Sequence, residues 1–313
     1  MKKILFTVLI LSALVSCSKE DDEISVSRES YVIPGDTFFP EGIAYHENSN
    51  LFFTGSVTNG DIVSVDVQNG EATLFATGSE QNRAAATGLK LDRMDRLWVC
   101  GGASNTIQVL NMNGMLLKSW DTKTLFNSGF INDCIYDDTH IYFTDSQVRK
   151  IYRTRVTAAS PGDLEEWLTF TDAQIPYTSG TNANGIVNTP DNKYLIMVVS
   201  TSGKLYRVEK TTKAITEITL NTPVTAGDGL YLMNNILYVS RNATNQIFPV
   251  TLNADYTQGT VGNGFGSNLI FNTTMDRAGD NFLVVNGQLN RRGSATTPGN
   301  PVLPFTVSRV AIP

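Results

Sequence analysis

A six-fold repeat is the strongest constraint in this sequence. Six short segments align: Glu41-Gly42-Ile43, Thr87-Gly88-Leu89, Asn132-Asp133-Cys134, Asn184-Gly185-Ile186, Asp228-Gly229-Leu230 and Thr273-Thr274-Met275. Each is followed by an apolar partner segment, such as Leu51-Phe52-Phe53, Leu97-Trp98-Val99 or Tyr194-Leu195-Ile196. The anchor residues stand at 41, 87, 132, 184, 228 and 273, at intervals of 46, 45, 52, 44 and 45. A period in the forties, carried by short strands without helical periodicity, predicts an all-β, six-bladed β-propeller. Third strands are expected at 61–65, 106–110, 150–153, 204–208, 246–250 and 305–310, most of them alternating apolar and polar residues. The sixth unit stops at Pro313 without an outer strand, while 25–33 precedes the first anchor. The N-terminal strand is therefore expected to complete the last blade and close the ring, leaving no long free sheet edge.

The region before 25 reads differently. Lys2 and Lys3 precede an apolar run over 4–15, too short to span a bilayer, that ends Leu14-Val15-Ser16-Cys17. This resembles a bacterial lipobox. Residues 1–16 are expected to be a lipoprotein signal peptide. Residues 17–24 are expected to be a lipidated Cys17 with an acidic tether, and 25–313 the propeller. Lipid would hold the protein at the outer membrane of a Gram-negative cell, facing either the periplasm or the surroundings, without a transmembrane helix. Loss of Lys2 and Lys3 would move the net charge from -6 to -8. With 24 Lys and Arg against 30 Asp and Glu, the chain lacks the basic face of a nucleic-acid binder. A monomer is expected. Cys100 and Cys134 lie in apolar strand contexts and are expected as buried thiols, with a disulfide left open.

Histidine excludes more. Only His46 and His140 occur, five and eight residues past their anchors, where the turn after strand one falls. A three-histidine zinc site and a Ser-His-Asp triad are both excluded. In a propeller blade the first strand lines the channel, so the six anchors converge on one axis: Glu41, Thr87, Asn132, Asn184, Asp228 and Thr273. Two carboxylates that meet there repel one another unless a cation lies between them. Oxygen donors of this kind suit Ca²⁺ first, with Mg²⁺, Mn²⁺ and Zn²⁺ as alternatives. Asn, Asp and Gly also begin strands for turn reasons alone, but turn chemistry does not call for Glu41 beside Gly42.

Phe39-Pro40-Glu41-Gly42, Ile131-Asn132-Asp133, Asn184-Gly185-Ile186 with Pro190-Asp191, and Asp228-Gly229-Leu230 resemble the SMP-30/gluconolactonase/luciferin-regenerating-enzyme family. The diisopropyl-fluorophosphatase-type phosphotriesterases share this arrangement. The resemblance runs from about 39 to 313. It implies a six-bladed propeller with one catalytic divalent metal in the channel. Glu41, Asn184 and Asp228 then match metal ligands, Asn132 a further ligand or substrate-binding amide, and Asp228 also the base or nucleophile. Some relatives carry a channel histidine; here the second and sixth anchors are Thr87 and Thr273, candidates for substrate contact.

The implied reaction is hydrolysis of a lactone, ester or sugar-acid derivative by metal-activated water, with Asp228 taking the proton. The longest anchor-face connection, 286–301, carries Arg291 and Arg292. Arg149 and Arg241 lie in or beside corresponding loops, and Arg149, Arg241 and Arg291 are candidates for binding an anionic substrate. The alternative is a non-enzymatic, surface-anchored propeller that binds a ligand or protein and keeps a structural metal.

Overall fold

The computed structural model of the chain describes residues 28–156, 160–294 and 296–313. The expected signal peptide, Cys17, the acidic tether and the first residues of the N-terminal strand lie outside the described residues. Among those described, no helix is long and apolar enough to cross a membrane.

The described chain is all-β, with a propeller-like arrangement of antiparallel meanders. Its single α-helix is five residues long, Thr122–Phe126. β1 is Ser30–Ile33, and β2–β5 are Pro40–His46, Leu51–Ser56, Ile62–Asp66 and Ala72–Ala76. β6–β9 follow as Leu89–Leu91, Leu97–Cys100, Thr106–Leu110 and Leu116–Asp121. β10–β13 are Ile131–Tyr136, His140–Asp145, Lys150–Arg155 and Glu165–Thr169. β14–β17 are Ala183–Asn188, Tyr194–Val199, Lys204–Glu209 and Ile215–Leu220. β18–β21 are Gly227–Met233, Ile236–Arg241, Gln246–Leu252 and Gln258–Val261. β22–β24 are Asn272–Ala278, Asn281–Asn286 and Phe305–Ala311.

These strands form five sheets rather than six separate ones. β14–β17 and β18–β21 are joined into one eight-stranded sheet by a short parallel contact, Thr219 opposite Gln258 and Leu220 opposite Gly259. The joining has a physical reason: two outer strands meet edge to edge and satisfy backbone groups that would otherwise face solvent. β1 pairs antiparallel with β24, from Ser30 opposite Ser308 to Ile33 opposite Phe305.

Second strands such as β15 and β23 are almost wholly apolar because both faces are covered. Apolar side chains fill the layers between sheets. Phe52, Tyr31, Phe39 and Phe305 pack in one, and Trp98, Trp120 and Phe143 in another. Trp98, Tyr142, Tyr206 and Tyr238 are all buried core residues, as expected from their strands.

The six first strands touch in sequence: β2 meets β6, β6 meets β10, β10 meets β14, β14 meets β18, β18 meets β22, and β22 meets β2. Glycine after the anchor allows this closeness. A Cβ on Gly42 would sit 2.1 Å from the Thr87 carbonyl oxygen, and one on Gly185 2.3 Å from that of Asp228. In five of the six, the register with the second strand shifts across the anchor position: 40/43, 131/134, 183/186, 227/230 and 272/275. A bulge bends a strand and re-aims a side chain. Here it recurs at the mouth of the channel, where the anchors stand.

Candidate active-site cavity

A cavity of about 840 Å³ opens at the anchor end, within the range of small-molecule sites. Glu41, Thr87, Asn132, Asn184 and Asp228 all line it. Its walls are otherwise mostly small or apolar, including Val57, Ala84, Ala103, Phe130, Phe271 and Leu289. Glu41, Asp228 and Arg292 are the charged side chains in this lining.

The four polar anchors are buried, none more than 7% exposed. Serines at the ends of second strands orient the amides. Ser146 Oγ donates to the Ala183 carbonyl (2.6 Å), so it can only accept from Asn132 Nδ2 (2.8 Å). That fixes the amide with its nitrogen toward Ser146, and Asn132 Oδ1 is left buried without a partner. Ser200 repeats the device, donating to the Gly227 carbonyl (2.5 Å) and accepting from Asn184 Nδ2 (3.0 Å). Asn242 Nδ2 donates to Asp228 Oδ2 (3.1 Å).

Burial pushes the Glu41 carboxyl well above the usual range, and the charges of Asp228 and Asp133 add to this. Asp228 is pushed up to about 7, again by burial first, with donation from Asn242 and Asn184 pulling it back. Asp133 rises to about 6 through burial, moderated by the Cys134 backbone N–H and by Lys90. Below the cavity a constriction of about 10 Å³, lined in part by Glu41, Asp133, Asn184 and Asp228, leads to a smaller space of about 210 Å³. There Lys90 supplies the compensating cation, 3.9 Å from Asp276.

Other expected site residues are placed differently. Thr273 is fully buried and lines no part of the cavity; its Oγ1 donates to the Glu41 carbonyl (2.7 Å) and so ties the ring. Thr87 lines the cavity, but its hydroxyl serves the Cys100 and Ile131 carbonyls (2.9 and 3.1 Å). Arg149 is paired with Asp172 and stacked on Tyr177, outside the cavity. Arg241 donates to the Thr225 carbonyl (2.9 Å) and lies over Phe248. Arg291 donates to the Asn300 carbonyl (3.3 Å). These three arginines and Thr273 do not line the cavity. His46 contacts Ser49 and Asp95, and His140 contacts Thr139, at the turns after strand one. Cys100 and Cys134 are buried and free.

Sequence reasoning passed over Asn242, Ser146 and Ser200. A signal existed, since Ser56, Ser146, Ser200 and Ser240 recur at the ends of second strands.

The donors fit a hard divalent cation: two buried carboxylates, and an asparagine whose buried amide oxygen has no partner, belong to residues lining a space with no lysine or histidine in its lining. Among the described residues, no group of three or more His, Cys, Asp or Glu is gathered as a metal site. The set is one of carboxylates with amides.

No protein-family model and no curated protein matches the chain. Solved structures do. A luciferin-regenerating enzyme superposes with a TM-score of 0.61 at 12% identity, over 90% of this chain and 92% of that one. The allergen Mala s 1 of Malassezia sympodialis gives 0.62 at 11%, over 90% and 96%. A candidate 6-phosphogluconolactonase from Bacteroides uniformis gives 0.56 at 15%, over 81% and 80%. At these identities the likeness shows the propeller-like fold alone. Enzymes stand among the structures that share it, and such a fold is compatible with a hydrolase.

Proposed function

We propose that this chain is a divalent-cation-dependent hydrolase of lactones or esters, built as a six-bladed ring closed by its N-terminal strand. The cyclic contact of the six first strands and the pairing of β1 with β24 support the ring. In this reading the eight-stranded sheet is two adjacent blades whose outer strands touch.

One observation carries the functional reading. Glu41, Asp228 and Asn132, two buried carboxylates and an amide whose oxygen has no partner, line one ligand-sized cavity whose described lining holds no lysine or histidine. Stability alone gives no reason to keep that arrangement. Glu41, Asn132, Asn184 and Asp228 would hold the ion, Ca²⁺ first. Bound there, a divalent cation would polarise the substrate carbonyl and acidify a nearby water.

The chain's own groups do the rest. Asn242 fixes Asp228 through Oδ2. The other carboxylate oxygen takes a proton from the attacking water as its oxygen bonds to the carbonyl carbon. The ring or ester C–O bond then breaks, and Asp228 returns the proton to the departing alkoxide, giving a hydroxy acid or an acid and an alcohol. A carboxylate fixed within reach of the attacking water is placed to act as its general base. Ser146 and Ser200 hold the amides in place.

The test is metal analysis of the purified protein, with a lactone and aryl-ester panel assayed before and after chelation. Bound divalent metal, with turnover lost on chelation and restored by Ca²⁺, is the expected result. Metal without turnover anywhere in the panel identifies instead a non-enzymatic propeller with a structural ion. We further propose Cys17 as the lipid attachment point that tethers a monomer to the outer membrane. The mass of the N-terminal peptide from membrane-extracted protein tests this.

A further inference from the structure

Among the described residues, the cavity lining has one cation without a partner. Of the arginines near the mouth, Arg149, Arg241 and Arg291 are engaged by Asp172, the Thr225 carbonyl and the Asn300 carbonyl. Arg292 is not: no hydrogen bond or ion pair holds its guanidinium to another described residue. It is exposed, and it lines both the large cavity and an adjoining one of about 570 Å³, which also share Thr58.

The described residues around Arg292 are tied to one another by hydrogen bonds. Gln288 is 1% exposed and closes the base by donating to the Val302 carbonyl (2.9 Å) and accepting from its N–H (2.7 Å). Leu289 packs on the apolar layer below. The Arg292 N–H donates to the Leu289 carbonyl (3.2 Å), and Asn300 N–H to that of Arg291 (3.0 Å). Gly293 and Gly299 let the two arms close: a Cβ on Gly299 would lie 2.6 Å from the Arg292 carbonyl oxygen. The described residues of this connection thus place one guanidinium at the cavity wall.

We infer that Arg292 is the anion-recognising residue of this cavity and that its substrates carry a carboxylate or phosphate away from the reacting carbonyl. The orientation follows from the donors. Glu41 and Asp228 on the floor offer an anionic end no N–H donor, while the Arg292 guanidinium at the wall can bind carboxylate or phosphate through paired N–H donors. The anion is held at the wall and the carbonyl faces the floor, with Phe130, Phe271 and Leu289 against the body of the molecule. This inference rests on the hydrolase reading for the word substrate, but not for the binding.

The experiment uses three γ-lactones that differ only in one ring substituent: a carboxylate, a phosphate monoester or a neutral carboxamide. In the parent protein kcat/KM should favour an anionic member over the carboxamide. Arg292→Ala should cut that ratio about 10- to 100-fold, mainly through KM, the size of a lost charge-assisted hydrogen bond. Arg292→Lys should restore part of it, and Arg291→Ala should keep it within about twofold. Whichever of carboxylate and phosphate loses more names the source of the anion. A ratio unmoved by Arg292→Ala, or moved equally by Arg291→Ala, overturns the inference. Calorimetry with the matching ring-opened hydroxy acids gives a readout free of turnover. If no lactone is hydrolysed but those acids still bind, and binding depends on Arg292, the hydrolase reading fails while the inference stands. If the lactones are hydrolysed without charge preference, the inference fails alone.

Discussion

Buried carboxylates occur in two regions of this molecule, and the protein treats them in opposite ways. Between the blades they are saturated. Asp145, fully buried, accepts from the backbone N–H groups of Gly129, Phe130, Gln147 and Val148 at 2.8–3.0 Å and from the Tyr152 hydroxyl. Asp137 takes Lys210 Nζ at 2.7 Å together with the N–H groups of Thr139 and His140. On the channel floor the reverse holds. Among the described residues no hydrogen bond reaches the Glu41 carboxylate, Asp228 accepts one from Asn242, and the charges of the floor raise one another's affinity for protons. A carboxylate locked by its own loop organises the fold. One left wanting a cation is arranged for something that arrives from outside.

The largest expected effect breaks the floor. Asp228→Asn should lower kcat for lactone hydrolysis about 10²- to 10⁴-fold, the range of a lost general base, with the fold intact by circular dichroism. Turnover equal to the parent removes Asp228 from the reaction. Next in size is Asp145→Ala. It strands four backbone N–H donors and should cost about 3 kcal/mol in urea unfolding. A loss smaller than that of Glu41→Gln measured in chelator would erase the distinction between the regions.

The smallest effect is electrostatic. Burial alone would raise Asp137, but Lys210 and the Thr139 and His140 N–H groups bring it down to about 2. Its folded value lies below its unfolded value near 4, so its stabilisation is present above pH 4 and fades as pH falls toward 2. Lys210→Met should remove about 1–2 kcal/mol at pH 7 and flatten thermal stability between pH 4 and 2. Equal pH slopes in the two proteins would contradict the pairing.

Much of this was legible because it repeats. The anchor spacing located the first strands, and the convergence of Glu41, Asn132, Asn184 and Asp228 followed from their shared position. What stayed hidden depends on which hydrogen bond a side chain chooses. Thr273 has the anchor position of its counterparts, but its short hydroxyl, carried on Cβ, reaches the Glu41 carbonyl instead of the channel. Arg291 and Arg292 are adjacent and chemically identical. Only the fold of their loop turns one to Asn300 and the other to the cavity. The contact of β17 with β21 spans two residue pairs between edge strands, too few to leave a pattern in the sequence.

The most direct test of the central claim is a crystal structure from protein equilibrated with Mn²⁺, read by anomalous scattering. The account predicts one strong peak at the channel floor, within bonding distance of oxygens from Glu41, Asn184 and Asp228 and of the free Asn132 Oδ1. An empty floor, with Glu41 and Asp228 sharing a proton or held by water alone, would contradict it.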